Sequence, residues 1–366
     1  MSKPGSRSPF KGNPQRKRPK PIHPKFSPLS TPFIRVNKRI MITWLQRGGA
    51  IFPFYPKPVS IGGSFGGERM KARNNRIANR EEKQFFLFIS PWLLGFLIFT
   101  LYPMGYSIFL VFTDMDMTGS GQFIGFDNIV RAFTQDPLFY RSLLNTLYFV
   151  LVSVPASLLL SFLIALLLNQ KIKGVGFFRT SFYIPYITSG VAVTLLWGWI
   201  FNAQFGFINY FLSLFGITGP NWLSDTKWAM PAIIIMGIWT IGNSIIITLA
   251  GLQDIPEALY ESAEIDGASS FVKITQITLP LITPTLYFNL IMGIIGGFQI
   301  FMQPYILTEG GPSYSTYTYM MHIYNSGFKY NEMGYASTLA WLLFVVIMII
   351  TLIVNRTSRH WVYYDN

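Results

Sequence analysis

The chain has 366 residues, of which 51% are hydrophobic, 17% are aromatic and only 12% are charged. Soluble domains carry about 25% charged residues, so this composition and a mean hydropathy of +0.37 indicate a membrane protein. The chain has no cysteine, and its three histidines lie far apart. These counts exclude thiol catalysis and disulfides, and they disfavour a zinc site built from His and Cys.

The formal net charge of +13 is concentrated near the N-terminus. Residues 1–84 hold 19 Lys and Arg against three Glu, whereas the rest holds 10 basic and 13 acidic residues. Residues 1–69 also carry 11 of the 23 prolines. Such a segment buries too little apolar surface to offset its ordering entropy, so we predict that it is disordered. A solvated or lipid-facing tail is favoured over a nucleic-acid-binding arm.

A compact basic stretch over residues 70–84 follows and leads directly into the first apolar run. We expect this stretch to lie in the cytoplasm. Translation could also begin at Met70, in which case residues 1–69 would be an artefact of the assigned start site.

Six apolar runs follow the basic segment. A helix rises 1.5 Å per residue, so about 20 apolar residues cross the hydrocarbon core of a membrane. None of the six runs contains an acidic, basic or histidine residue. They predict an all-α membrane protein with six transmembrane helices, at Phe85–Phe112, Leu143–Asn169, Thr180–Phe201, Ala229–Gly251, Leu281–Met302 and Gly334–Asn355.

The distribution of Lys and Arg predicts the orientation of these helices. Five basic residues lie between Lys71 and Lys83, directly before the first run, and basic residues favour the cytoplasmic side. Both termini are therefore expected in the cytoplasm and the protein in the cell membrane. The connections 113–142, 202–228 and 303–333 would then be external, and the loops 170–179 and 252–280 internal.

The loop 252–280 is unusual because it carries five acidic residues and one Lys on the side where basic residues are favoured. Asp254 is positioned to N-cap a helix, with Pro256 in its first turn and Glu257 completing a capping box. Gly267 would end that helix in a left-handed conformation, and Ser269 or Ser270 would cap a second short helix. The first helix would have about three turns. It is either a solvated amphipathic helix or a docking helix for a soluble partner.

The residues of this loop resemble a known signature. The spacing Glu261-x-Ala263-x-x-x-Gly267, followed after nine residues by Ile277-x-Leu279-Pro280, is similar to that of inner-membrane permeases of ATP-binding-cassette (ABC) importers. Ser262 stands where the family usually has Ala. The wider strings resemble the carbohydrate-uptake branch, which includes maltose, multiple-sugar and glycerol-phosphate permeases: Ile255-Pro256, Leu259-Tyr260-Glu261, Ile265-Asp266-Gly267-Ala268, Gly125-Phe126-Asp127-Asn128, Gly176-Phe177-Phe178-Arg179-Thr180 and Leu307-Thr308-Glu309-Gly310-Gly311-Pro312.

This resemblance covers roughly residues 85–356 and implies the type I ABC importer permease fold. It divides the chain into a first helix with its external loop (85–142), a permease core (143–355) and a cytoplasmic tail (356–366). It also implies a second permease subunit, two ABC ATPase subunits that bind ATP and Mg²⁺, and an extracytoplasmic solute-binding protein. The residues implied to couple the chain to the ATPase are Glu257, Tyr260, Glu261, Ala263, Asp266, Gly267, Ala268, Leu279 and Pro280.

The residues themselves indicate a transporter without its own energy source. The sequence has no GxxxxGK[ST] phosphate loop, and the glycine cluster at 62–67 lacks the Lys, which favours a flexible linker. Ion-coupled carriers usually place an acidic or histidine residue inside the membrane, and none lies in the six runs. No paired carboxylates or nucleophile–base set supports an enzyme. We therefore expect no cofactor on this chain and ATP hydrolysis on a separate subunit.

Polar side chains inside the apolar runs are candidates for a solute path. Unpaired amides in lipid are costly, so they should face a cavity or another helix. Aromatic rings beside amides and hydroxyls suit a sugar, while hydrogen bonding between helices is the alternative. A non-transporting scaffold or sensor that recruits partners through the loop 252–280 would not need them. The candidates are Trp239, Thr240, Asn243, Asn289, Gln299 and Gln303, with Ser244 beside them.

Overall fold

The computed structural model describes residues 84–170 and 173–363. The predicted disorder over 1–69, the basic stretch before residue 84 and the last three residues lie outside the described residues. Within these ranges the structure is helical, apart from turns and one isolated antiparallel bridge between Thr113 and Phe123. This agrees with the predicted all-α class.

The helices are numbered here in chain order. Two of them are preceded by single π-helical turns, Ile274–Thr278 before α11 and Asn325–Lys329 before α14, and α1 contains a third, Leu97–Leu101. The helices are α1 (Gln84–Val111), α2 (Asp127–Thr134), α3 (Pro137–Leu168), α4 (Val175–Ile187), α5 (Gly190–Ile200), α6 (Phe207–Ser213), α7 (Ala229–Trp239), α8 (Gly242–Gln253), α9 (Glu257–Ile265), α10 (Ser270–Lys273), α11 (Leu279–Phe298), α12 (Met302–Leu307), α13 (Tyr319–Tyr324) and α14 (Met333–Ser358).

Four helical segments are long and apolar enough to cross a membrane: α1, α3, α14 and the segment Ser270–Leu307 that contains α11. The third and fourth predicted runs are not single straight helices. They form the pairs α4–α5 and α7–α8, bent by 98° and 47°. The described residues therefore hold four candidate membrane spans by length and composition, or up to six if each bent pair is one span.

The bends have local and tertiary causes. Pro185 removes a backbone donor from the last turn of α4, and Thr188 then takes an extended conformation with ψ 145°. After the bend, α5 packs against α12, whereas α4 packs against α8. Because the two halves of this run pack on different helices, one straight helix would lose one of these contacts.

Helix α3 is the centre of the packing. Phe149 and Val150 on α3 form a buried cluster with Phe298 on α11 and Leu339 on α14. Further along α3, Ala165 and Leu168 belong to a second buried cluster. Its other members are Ile245, Leu249 and Leu252 of α8 and Ile282 of α11. Because α3, α8 and α11 all pack on one another, any space among these three helices lies within the bundle.

Helix α1 lies at the edge of this bundle. It packs on α14, where the Trp341 Nε1 donates a hydrogen bond of 3.1 Å to the Ser107 hydroxyl. Large apolar side chains along its outer face are exposed, such as Phe88 and Phe99. An apolar face of this extent is typical of a helix that contacts lipid or another membrane subunit.

Candidate functional site

The loop 252–280 folds as two short helices, but its first cap differs from the prediction. Helix α9 begins at Glu257 with Pro256 as its N-cap residue, and no side chain caps it. Asp254 instead ends α8, where its N–H donates to the Ala250 carbonyl over 3.2 Å. The residue before a proline is pushed out of the helical region, so the break falls at Ile255, and the predicted Asp254 cap is wrong.

The end of α9 agrees with the prediction. Gly267 has φ +76°, a left-handed conformation that glycine adopts without steric cost. Around it, the Ala268 N–H donates to the Ala263 carbonyl over 2.9 Å, which satisfies a carbonyl at the helix end. Ser269 then N-caps α10, as predicted, because its hydroxyl accepts from the Val272 N–H over 3.4 Å. The glycine therefore fixes the angle between α9 and α10.

Two side-chain contacts hold α9 to the rest of the loop. The Tyr260 hydroxyl lies 2.9 Å from the Thr278 hydroxyl, and the Lys273 Nζ lies 2.7 Å from the Glu264 Oε1. The hydrogen bond and charge of Lys273 hold the pKa of Glu264 below its ordinary value. Since α9 has no buried residue, its surface is open to a partner.

The predicted coupling residues are distributed over both faces of this loop. Glu257, Glu261, Asp266, Gly267 and Leu279 are exposed, and Tyr260, Ala263, Ala268 and Pro280 are half-buried. Large apolar side chains are also exposed nearby, among them Ile265 at 87% and Phe271 at 74%. A groove of about 420 Å³ brings part of the signature together and is lined by Leu259, Ser262, Ala263, Asp266, Gln276, Ile277, Pro280, Leu281 and Tyr363.

A cavity of about 360 Å³ lies between α3, the bend of α7–α8, α11 and the start of α12. We call it the central cavity. Its lining is mostly apolar but carries seven polar side chains, Ser153, Ser157, Tyr186, Thr240, Ser244, Asn289 and Gln303. Hydroxyl and amide groups that converge from several helices can orient a polar, uncharged ligand.

Glycines of α11 form one wall of the central cavity. A Cβ atom built on Gly293 would lie 3.0 Å from Val154, and one on Gly297 would lie 3.0 Å from Val150. These glycines therefore allow α11 to approach α3 closely beside Val150 and Val154. The space that remains beside them is bounded by the polar groups of α3 and α11.

The central cavity contains half of the predicted solute-path residues. Thr240, Asn289 and Gln303 line it. Asn289 is also an inter-helix contact, because its amide donates to the Thr248 hydroxyl over 3.0 Å and approaches the Ser244 carbonyl at 3.4 Å. Trp239, Asn243 and Gln299 are not among the lining residues. The Trp239 ring packs edge-to-face on Trp197, with 5.8 Å between centroids.

Three of the polar lining residues were not predicted: Ser153, Ser157 and Tyr186. The two serines are four residues apart in the long apolar run of α3, so they share one face of the helix. This spacing is a signal that the sequence carries. Tyr186 is preceded by Pro185 in a run with other aromatic residues, and nothing in its spacing distinguishes it.

A second polar cluster, which the sequence did not predict, lies at the start of α3. Its members come from residues 113–136 and 308–336, which we call the cap. The Asp136 side chain N-caps α3 through the Leu138 N–H over 2.8 Å, and it accepts from the His322 Nε2 over 2.7 Å and from the Tyr335 hydroxyl. Burial would raise the pKa of Asp136, but these hydrogen bonds outweigh it and hold the pKa well below its ordinary value.

Further contacts surround this group. The Tyr317 hydroxyl lies 3.3 Å from the His322 Nδ1, and burial raises the pKa of Tyr317 to about 12, so that it stays protonated. Arg131 contacts both carboxylate oxygens of Glu332 at 3.0 and 2.9 Å. The same guanidinium lies 4.2 Å from the centroid of the Tyr335 ring. These contacts thus join two parts of the cap that lie about 200 residues apart in the sequence.

A helical bundle with a polar central cavity and an exposed signature loop is the architecture of a membrane transport subunit. Residues 135–361 match the family described as "Binding-protein-dependent transport system inner membrane component". The chain belongs to this family, and it is an inner-membrane, multi-pass component of an ABC transport system. The resemblance seen in the loop 252–280 is therefore confirmed.

Individual relatives agree over most of the chain. The probable ABC transporter permease protein YesP of Bacillus subtilis (strain 168) is 39% identical over 305 residues, which cover 82% of this chain and 98% of that protein. The trehalose/maltose transport system permease protein MalF of Thermococcus litoralis is 32% identical over 287 residues, covering 78% and 97%. The crystal structure of a bacterial alginate ABC transporter, in complex with an alginate pentasaccharide-bound periplasmic protein, contains a chain similar to this one with a TM-score of 0.68 and 29% identity, covering 77% and 96%.

Proposed function

We propose that this chain forms the translocation path of an ATP-driven importer for a sugar or oligosaccharide. The observation that carries the proposal is the central cavity, which places hydroxyl and amide groups inside an otherwise apolar bundle. Relatives that share most of the chain are named for transport of trehalose and maltose, lactose and arabinooligosaccharides. A sugar fits such a cavity because its hydroxyls need hydrogen-bond partners and its C–H faces stack on aromatic rings.

The proposed roles follow from the groups that line the cavity. Ser153, Ser157 and Gln303 would exchange hydrogen bonds with the hydroxyls of the solute as it passes. Tyr186 would offer a ring to a C–H face. Asn289 is held by Thr248 and would keep α8 and α11 together beside the path. All these groups are uncharged, so their hydrogen bonds to the solute would be weaker than charged ones, which favours release of the solute.

The membrane arrangement is part of the proposal. If α4–α5 and α7–α8 each count as one bent span, the chain crosses six times and both termini lie on one side. The basic residues before α1 favour the cytoplasm for that side. The cap would then face outward, toward an extracytoplasmic solute-binding protein, and the loop 252–280 would face the cytoplasm.

The loop 252–280 is proposed to dock an ATPase subunit. A second permease subunit and two ATPases would complete the transporter, because this chain has no phosphate loop and is not itself expected to bind ATP or Mg²⁺. Binding of ATP would bring the two ATPases together and move α9. The bundle would then alternate between an outward-open and an inward-open cavity.

Reconstituted uptake tests the transport function. The chain is assembled with its partner permease, ATPases and binding protein, and ATP-dependent uptake of labelled trehalose, maltose, lactose and arabinooligosaccharides is measured. We expect uptake of at least one sugar, lowered about tenfold or more by Gln303→Leu. A complex that hydrolyses ATP but moves none of these sugars would favour the non-transporting scaffold.

Gln299→Leu is the matched variant for Gln303→Leu. Both variants remove an amide close to the junction of α11 and α12. Of the two residues, Gln303 lines the central cavity and Gln299 does not. If Gln299→Leu lowers uptake equally, the path extends beyond the central cavity, as predicted from the sequence. Normal uptake by the Gln303→Leu variant would remove that residue from the path.

A further inference from the structure

The chain turns back on itself after α14. The Val362 N–H donates to the Ser358 carbonyl over 2.8 Å, and the Trp361 N–H donates to the same carbonyl over 3.1 Å. Ser358 and Val362 are both buried. We call residues 359–363 the tail. Val362 anchors it to the protein, while the other four tail residues are exposed.

The tail is hydrogen-bonded to the first turns of α11. The Tyr363 N–H donates to the Thr283 hydroxyl over 2.9 Å, and that hydroxyl donates to the Pro280 carbonyl over 2.6 Å. Pro284 lies four residues after Pro280 and has no N–H, so the helix itself cannot satisfy this carbonyl. The Thr283 hydroxyl supplies the missing donor to the Pro280 carbonyl, and it links the tail to α11 by accepting from the Tyr363 N–H.

A second contact joins the tail to the same two helices. The Trp361 ring packs edge-to-face on Tyr287 of α11, with 6.0 Å between centroids. The Tyr287 hydroxyl donates to the Asn355 side chain of α14 over 3.1 Å. The C-terminal end of α14 and the N-terminal half of α11 are thus held together through the tail.

The tail also adjoins the signature loop. Tyr363 lines the groove of about 420 Å³ together with Leu259, Ala263 and Asp266 of that loop. It lines a second depression of about 220 Å³ with Asp254 and Pro256. The Tyr363 side chain, which is 51% exposed, therefore borders the base of α9 on two sides.

We propose that the tail is a positioning element of the coupling apparatus, which ties the base of α9 to the end of α14. When an ATPase moves α9, the end of α14 follows because Tyr363 lines the grooves at the base of α9 and its N–H is bonded to Thr283 of α11. This inference rests on the proposed docking of the ATPase at the loop 252–280. It adds the tail, Thr283 and Tyr287 to that apparatus, although they lie outside the loop signature.

Removal of the Thr283 hydroxyl tests the connection. In the complete transporter, with Mg-ATP as the probe, Thr283→Ala should lower the rate of ATP hydrolysis about threefold to tenfold, while co-purification with the ATPase stays within twofold of the parent. Thr283→Ser keeps the hydroxyl and should restore the rate. Thr357→Ala is the matched control, because its hydroxyl bonds only the Val354 carbonyl of its own helix in the described structure. Equal rates in Thr283→Ala, Thr283→Ser and the parent would overturn the proposal.

A cross-link tests whether the tail and α9 move as one unit. The sequence has no cysteine, so Leu259→Cys and Tyr363→Cys can be joined by a short bis-maleimide without background reaction. We expect high cross-linking yield and ATP hydrolysis within twofold of the singly labelled variants. Hydrolysis that stops only when both cysteines are joined would show that the two segments must separate. Failure of Gly267→Val to impair transport would instead contradict the coupling role of the loop, so the two proposals fail differently.

Discussion

The two ends of α3 are built differently. At its start, the cap is closed by the buried Asp136–His322 pair, by Arg131–Glu332 and by the buried Asn128 amide, which donates to two backbone carbonyls at 3.1 and 2.8 Å. At its end, the loop 252–280 carries α9, a helix without a buried residue. Elements with few buried contacts open and shift at low free energy, whereas heavily bonded ones do not.

This difference indicates where motion enters the protein. The cap holds the start of α3 to α13 and α14 through side chains that are almost fully buried. The contacts of the loop 252–280 described above include the Lys273–Glu264 ion pair, the Tyr260–Thr278 hydroxyl contact and the backbone geometry at Gly267. A partner that pushes on α9 therefore displaces the loop before it disturbs the cap.

The largest effect is expected at the glycine that ends α9. Gly267→Val forces a branched side chain into a left-handed conformation, at a cost of about 1 kcal/mol or more, and redirects α10. We expect uptake to fall at least tenfold and ATPase co-purification to fall with it. Glu261→Lys, which reverses an exposed charge on the same helix, should weaken co-purification in the same assay.

Gly119→Val is the matched control for this variant. Gly119 has φ +81° and open space around it, as Gly267 does, but it lies in the cap. Its strain is therefore the same while its location differs. Because the cap is proposed to face the binding protein, co-purification with the ATPase is the deciding measurement. A comparable loss of co-purification in both variants would mean that backbone strain, rather than the position of α9, is responsible.

The next effect is on stability. Asp136→Ala removes the N-cap of α3, worth about 1 kcal/mol, and leaves the buried His322 ring without its acceptor, worth about 1–3 kcal/mol. We expect a clear fall in the melting temperature of the purified protein in detergent. Asp116→Ala, which removes an exposed turn carboxylate of the same cap, should lower it much less. Similar losses would show that the buried pair is not what holds the cap.

The same pair predicts an acid dependence. The pKa of Asp136 lies below its ordinary value of 3.8 in the folded protein, so its contribution to stability is present above that value and is lost as pH falls through the lower folded pKa. Melting curves from pH 6 down to pH 2 should therefore fall less steeply in Asp136→Asn than in the parent below about pH 4, where the unfolded carboxyl becomes protonated. Parallel curves would contradict the assignment.

The smallest effects are expected on the exposed surface of the loop. Glu264→Gln removes the negative charge of the ion pair with Lys273, but exposed ion pairs contribute little to stability. We expect the melting temperature to stay within experimental error. Ser262→Ala, which restores the residue usual in the family, should leave uptake unchanged. A large loss in either variant would mean that these residues contact the partner directly.

Local features of the loop were predictable from the sequence, since Gly267 and Ser269 act through their immediate neighbours. The prediction that Asp254 caps α9 was wrong. It relied on a capping-box pattern and neglected that Pro256 disfavours a helical conformation at Ile255. The bends at 188–189 and 240–241 were not predicted, because the hydropathy of a run indicates how long an apolar helix is and not whether its axis changes direction. The Asp136–His322 pair joins residues 186 positions apart, a contact that no spacing within one element encodes.

The length of α3 has a mechanical consequence. Its 32 residues span about 48 Å, well beyond the roughly 30 Å of hydrocarbon. Pro155 lies between Ser153 and Ser157 at the wall of the central cavity, and it lacks the N–H that would bond the Leu151 carbonyl. If α3 tilts as a rigid body about this point during the proposed transport cycle, a tilt of about 5° moves its two ends by roughly 2 Å in opposite directions. The proposed outward and inward openings of the central cavity would then change in opposite senses, while the part of the helix that lines the cavity stays nearly in place.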